Sequence, residues 1–318
     1  MDLIYTDAKR IDKGVLDAYE FDLSYGESEN DFELILDQDI PPLENSAVVY
    51  IEGTEYGGIV DYIKSASSEY TVTYGGRTWH GILNSKVIEP SAGKDHLTVS
   101  GDANTLLAAF IPHLGLNGLF TAKSELSGIT IKKYQFHRYC KAYDGLRAML
   151  ESAGAKLKIE WVNRSVCLSA VPIADYTESP VDNDTATLKV ESHKAKVNHL
   201  ICLGKGELAA REVLHLYANR LGKLSDTKVY TGIEEYTEVY DNSNSSDLRK
   251  DGINRFKELR NIDKAEISLT EDDDCIYDIG DIAGAIDLKT GASATTAVTQ
   301  KIVKINNGAV SIEYKTGG

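Results

Sequence analysis

Seven histidines, His80, His96, His113, His137, His193, His199 and His215, are the side chains of this sequence best suited to metal ligation or to proton transfer near neutral pH. None of them forms HExxH or another spacing that sets two imidazoles on one helix face, so no metalloprotease signature is present. His137 stands close to Cys140. A cysteine nucleophile needs a positioned base and an activating environment, and the local signatures of cysteine peptidases are missing, so both residues read as structural. Cys140, Cys167, Cys202 and Cys275 lie far apart with no CxxC pair, which suggests neither a zinc site nor a dense disulfide framework. They read as small buried apolar residues.

The acidic run from Glu271 to Cys275 and the triplet Asp182, Asn183, Asp184 offer oxygen ligands of the kind calcium prefers, but neither follows the EF-hand pattern, and solvated turns are the reading adopted. GKGE, from Gly204 to Glu207, lacks the Gly-led spacer and the Ser or Thr of a phosphate loop and reads as a turn after a strand. With 49 Asp and Glu a pair of glycosidase carboxylates can always be imagined, and none is marked out by spacing. Glycosylation acceptors at Asn163, Asn183 and Asn244 carry no meaning in a chain without a secretion signal. No catalytic residue, cofactor-binding residue or metal ligand is therefore assigned, and no cofactor is expected.

The elements that would have to position any site are those of an ordinary globular chain of 318 residues, long enough for more than one core, with 42% apolar and 26% charged residues. A formal charge of −15 argues against nucleic acid as an affinity partner, since such binding depends on Lys and Arg neutralising phosphates, and an acidic membrane would repel the chain as well. It suits a conduit past which DNA slides without sticking. No apolar run resembles a signal peptide core or a membrane span, so the chain is expected to stay in the cytosol without membrane insertion.

Up to about Ser100 the pattern is of short alternating segments, with Tyr70, Val72 and Tyr74 predicted on one face of a strand and further strands at Phe32 to Leu36 and from Val48. Asp102 is a plausible N-cap for a helix with Leu106, Leu107, Phe110 and Ile111 on one face. A second helix carries Ala142, Leu146, Met149, Leu150 and Ala153 and ends at Gly154. A hairpin follows, with Leu157, Ile159 and Trp161 alternating before a turn at Asn163 to Ser165. After Pro180 strands resume, interrupted by one helix with Leu248, Ile253, Phe256, Leu259 and Ile262 inward. The C-terminus closes on a hairpin whose turn is Asn307-Gly308, two residues that tolerate the positive φ of a type I′ turn. The fold class is α+β, mainly β, with two β regions bracketing an α+β middle.

Three segments resemble the tail hub family of siphovirus and prophage tail proteins encoded beside the distal tail protein in Firmicutes phages. They are GRTWHGILNSKVIEP (76–90), VNHLICLGKGELAAREVLHLYA (197–218), and the stretch from YDIGDIAGA at Tyr277 through TQKIVKINNGAVSIEYK to Lys315. That family is similar to the hubs of contractile tails, in which two tail-tube-like β-barrels are joined by smaller α+β parts. The resemblance implies an N-terminal β-barrel over residues 1–100, an α+β connecting domain over 101–178, and a second β-barrel over 179–318 with a helix inserted at about 246–262.

What it implies for function is a non-enzymatic baseplate or tail-tip component and virion structural protein. Three chains would form a homotrimer ring whose six barrels adapt the sixfold tail tube to the threefold tip. Its partners would be the distal tail protein or tail tube ring and the tail-tip fibre or receptor-binding proteins, with DNA passing through unbound. It would act at the virion tail tip after assembly from the host cytoplasm. Relatives with lytic or carbohydrate-binding extensions run beyond this hairpin, whereas this sequence ends in KTGG, so no wall-degrading part is expected. The alternatives are the hub of a contractile bacteriocin or injection machine, and a tail-associated cell-wall hydrolase.

Overall fold

The computed structural model describes residues 1–40, 42–193, 196–220, 223–260, 263–270 and 277–316. Strands dominate. Among the described residues there are four α-helices, α1 (Trp79–Asn84), α2 (Ala103–His113), α3 (Ala142–Glu151) and α4 (Leu248–Arg260). The largest sheet runs, in spatial order, through Thr187–Glu191, Lys264–Thr270, Ala309–Thr316, Ser293–Asn306, Glu20–Gly26, Asp31–Asp37, Thr71–Thr78, Gly57–Ser65, Val48–Tyr50, Leu3–Thr6 and Asp12–Leu16. The path does not close on itself, and Thr187–Glu191 and Asp12–Leu16 form its two ends. Ile282–Ile286 branches from it, antiparallel to Ser293–Asn306 and parallel to Val181–Asp182.

Strands from the N-terminal and C-terminal regions meet inside this sheet. Ser293–Asn306 pairs with Glu20–Gly26, setting Val303 opposite Leu23 and Ile305 opposite Phe21. Because side chains alternate across a pleated strand, Phe21, Leu23 and Tyr25 turn inward while Glu20 and Asp22 face solvent. Leu34, Ile267, Val303 and Tyr314 join them in one core drawn from both β regions, and burying each such side chain stabilises the fold by roughly 1.5–3 kcal/mol. The expected C-terminal hairpin forms, with φ of 49° at Asn307 and 93° at Gly308, and the Asn163–Arg164 turn likewise has positive φ at both residues.

Two details of the N-terminal reading are corrected. Tyr70 does not share a face with Tyr74: the strand starts at Thr71, and Tyr70 sits in the preceding turn, 88% exposed, while Tyr74 is buried. The β pattern is also broken before Ser100 by α1, which Thr78 caps by accepting the N–H of Gly81.

A second core lies between α1, α2, α3 and a small sheet of Phe120–Ala122, Ser165–Pro172 and Ala155–Val162. Asp102 caps α2 as expected, accepting the N–H groups of Asn104 and Thr105, and Gly154 at φ 71° follows the end of α3. Both tryptophans stack here, Trp79 on Trp161 at 5.3 Å and Trp161 on Tyr50 at 4.2 Å, so this core reaches back into the N-terminal strands.

A third core belongs to a module of four strands, in the order Leu224–Ser225, Val213–Ala218, His199–Leu203, Thr237–Asp241, with α4 laid on one face. Leu248 and Phe256 of α4 are buried and Ile253 and Leu259 half-buried against it, while Ile262 lies outside the described residues. The module is spliced between paired strands of the large sheet, leaving after Glu191 and returning at Lys264, which face each other in register.

Gly76 sits where the Gly57–Ser65 strand crosses closest, and a Cβ there would lie 1.9 Å from the Ile59 carbonyl oxygen. Gly76→Ala is expected to cost roughly 1–3 kcal/mol through forced backbone movement, seen as a lower urea midpoint; an unchanged midpoint would contradict this crossing.

Candidate functional site

The loop Ile51–Tyr56 ties the three parts of the chain together. Its backbone extends the small sheet, with the Trp161 N–H donating to Thr54 and the Gly53 N–H donating to Trp161. Its Glu55 reaches the large sheet, where it accepts a 2.6 Å hydrogen bond from Lys301, a side chain only 2% exposed. Burial, the largest single influence, pushes the Lys301 pKa down, but the Glu55 carboxylate with Tyr314 and Tyr56 together outweigh it and hold the ammonium charged, above the ordinary lysine value. The rings of Tyr56 and Tyr314 lie 5.8 and 5.7 Å from the same ammonium.

His80 of α1 completes this cluster, stacked flat on Tyr25 at 4.5 Å with its Nε2 3.7 Å from Glu55. Burial, together with the nearby charges of Lys301 and Arg147, lowers its pKa to about 3, so the imidazole is neutral. A second buried lysine, Lys156, donates at 2.7 Å to Asp278 and to both oxygens of Asp281, clamping the small sheet to the C-terminal strands. Between the two clamps lies a cavity of about 400 Å3 walled by Tyr143, Ile159, Ile279 and Val298. These charges all have structural partners.

The solvent face of the large sheet carries the other concentration of charge. On the adjacent strands Glu20–Gly26 and Asp31–Asp37, the exposed side chains include Glu20, Asp22, Asp31, Glu33 and Asp37, with no cation on either strand. Register sets Asp22 opposite Glu33. Partial burial and the neighbouring carboxylates of Glu29 and Glu33 raise the Asp31 pKa, as expected where like charges crowd. The nearest cations flank the stripe, Lys304 3.9 Å from Asp22 on one side and Arg77 paired to Asp61 at 2.8 Å on the other.

No protein-family model matches the sequence, and no curated protein does. Solved structures do match. The 43 kDa tail protein of prophage MuSo2 from Shewanella oneidensis superposes with a TM-score of 0.62 at 10% identity, over 99% of this chain and 98% of that one. The tail protein of Neisseria meningitidis MC58 matches with a TM-score of 0.56 at 13% identity, covering 100% and 96% of the two chains. Prophage tail protein gp18 of Listeria monocytogenes EGD-e gives 0.56 at 14%, covering 99% and 94%. The chain has the fold of prophage tail proteins.

Within that fold the sequence's candidate residues mostly separate. His96, His113 and His137 are exposed, and His193 bonds Glu191. Cys202 is buried, Cys140 and Cys167 half-buried, and Cys275 with the rest of the Glu271 to Cys275 run lies outside the described residues. Asp182 accepts the N–H groups of Asp184 and Thr185 in its own turn, and Asn183 accepts from Leu288. Gly204 to Glu207 is a turn after a strand, with Gly206 at φ 95°. Only His199 and His215 come together, at 2.8 Å, with His199 also 2.7 Å from Glu235. Only the strand pairing reveals it: VNHLICL and VLHLYA as antiparallel neighbours bring both imidazoles to one face. Among the described residues no group of three His, Cys, Asp or Glu has metal-binding geometry.

Removing one partner of the Lys301–Glu55 pair strands a charge. Lys301→Met is expected to lower unfolding free energy by roughly 3–5 kcal/mol, and Lys301→Met with Glu55→Gln to recover much of it; a loss in the double variant equal to the sum of the losses in Lys301→Met and Glu55→Gln alone would show that the pair is not coupled. His80 gives a pH dependence of known sign. Its folded pKa near 3 lies below the usual 6.5, so the unfolded chain takes up the proton first. Stability is full above pH 6.5 and falls as the pH drops toward 3, by up to about 1.4 kcal/mol per pH unit from this group. Urea titrations of His80→Phe should show a shallower decline over that window than the unmodified protein.

Proposed function

We propose that this chain is a structural tail protein of a phage or prophage, the hub at the distal end of the tail tube. The carrying observation is the match along whole chains: three tail proteins, two of them from prophages, share the fold over 94–98% of their length, so the architecture as a unit is what they have in common. Three copies form a ring, and the N-terminal and C-terminal β regions of each act as two tube-like barrel modules, giving six similar units that face a sixfold tube and three chains that face the tip. A ring of identical heterologous contacts ends assembly instead of extending it. Distal tail protein or tube subunits bind one side and fibre or receptor-binding proteins the other. The chain catalyses nothing in this role.

The acidic stripe of Asp22, Asp31 and Glu33 lines the passage, where like charge keeps DNA from adsorbing. Light scattering over a range of concentrations tests the ring: a mass three times that of one chain is expected, and a monomer that persists when the distal tail protein is added would overturn it. The lining is tested separately with duplex DNA in a gel-shift assay. The unmodified protein should leave DNA unshifted, and Asp22→Lys with Glu33→Lys should retard it in a salt-sensitive way. Retardation by the unmodified protein would remove the conduit from the proposal.

A further inference from the structure

The spliced module differs from the rest of the chain in two independent ways. Residues 197–260 hold ten Lys and Arg against ten Asp and Glu, so the remaining sequence, with 24 against 39, carries the whole charge of −15. The module also concentrates exposed apolar surface. Of the sixteen large hydrophobic side chains exposed among the described residues, six lie within 208–239.

The topology explains where these side chains point. One face of the module sheet packs Leu200, Cys202 and Leu216 under α4. The opposite face is covered at one end, where His199 packs on His215 and Tyr217, and carries apolar side chains at the other: Ile201 pairs with Val239 and Leu203 with Val213 across neighbouring strands, so the four share it. Val213 is 50% and Val239 59% exposed, and Ile233 and Tyr236 stand exposed on the adjoining segment.

We propose that the open part of this face, around Val213 and Val239, is where one copy of the chain contacts the next. The inference rests on the ring reading and names its surface. The occupant follows from charge. A basic partner would gain most by binding the acidic body, not a neutral module. A second copy of this chain is as acidic as the first, and the bodies repel, so a balanced apolar face is where such a partner is accepted without like-charge cost. The expected contact is apolar at its centre, and salt strengthens it by screening the repulsion between bodies.

Sedimentation velocity of the full chain at fixed concentration tests this, using the unmodified protein, Val213→Glu with Val239→Glu, and Ile233→Glu alone, with thermal melts run alongside. Ile233 is fully exposed, so its substitution leaves folding intact whatever the double variant does. The unmodified protein should sediment as a trimer whose fraction rises with salt, and both variants should shift toward one-third of that mass. A trimer that persists in both variants sinks the surface and leaves the ring standing. An unmodified dimer that the variants dissociate keeps the surface and discards the ring. A trimer that weakens as salt rises, or a monomer at every concentration and salt, overturns the proposal.

Discussion

Lys301 is a cation in a place that tolerates one only when it is paired. It sits on an inner strand of the large sheet, flanked in register by Tyr25 and Tyr314, and its carboxylate partner among the described residues comes from a loop more than two hundred residues earlier in the chain. Leaving that ammonium alone in an apolar interior would cost several kcal/mol, so the loop Ile51–Tyr56 is held where Glu55 can reach. The same loop carries the backbone bonds to Trp161, and through them the α+β part is fixed against both β regions. Lys156 with Asp278 and Asp281 repeats the device from the other direction. Apolar cores are forgiving of small shifts, whereas a paired buried charge specifies one arrangement.

That economy would suit the proposed role. A hub set between two larger assemblies would have to transmit load without its parts rotating against one another, and two ionic clamps across the junction resist such rotation. Surface charge acts apart from these clamps. On the outer face Asp31 bears the crowding of its neighbouring carboxylates.

Local structure was legible in the sequence because it has local causes. The turn at Asn307-Gly308, the cap at Asp102, the end of α3 at Gly154 and the apolar stripe of α4 all follow from neighbours within a few residues. The pairing of Ser293–Asn306 with Glu20–Gly26 has no such cause. KIVKI shows why burial was hidden: Lys301, Val303 and Ile305 share one face and Ile302 and Lys304 the other, so each face holds a lysine and alternation alone cannot choose. Only the partners across the sheet decide that Lys301 goes in. The His199–His215 contact was equally out of reach until strand neighbours were known, and α1 was masked by the β-like run leading into it.

The splice of the neutral module has a further consequence. The chain leaves the large sheet at Glu191 and re-enters at Lys264, residues that face each other on one rung of an antiparallel ladder, and Asp263 ties the neck by accepting the His193 N–H and pairing with Lys196. Entry and exit are thus separated by about 5 Å, the gap an ordinary tight turn bridges. A cut at this neck followed by a short turn would leave the ladder unbroken. The module is a graft on a hairpin: losing, lengthening or exchanging it would leave the pairing of Thr187–Glu191 with Lys264–Thr270 in place.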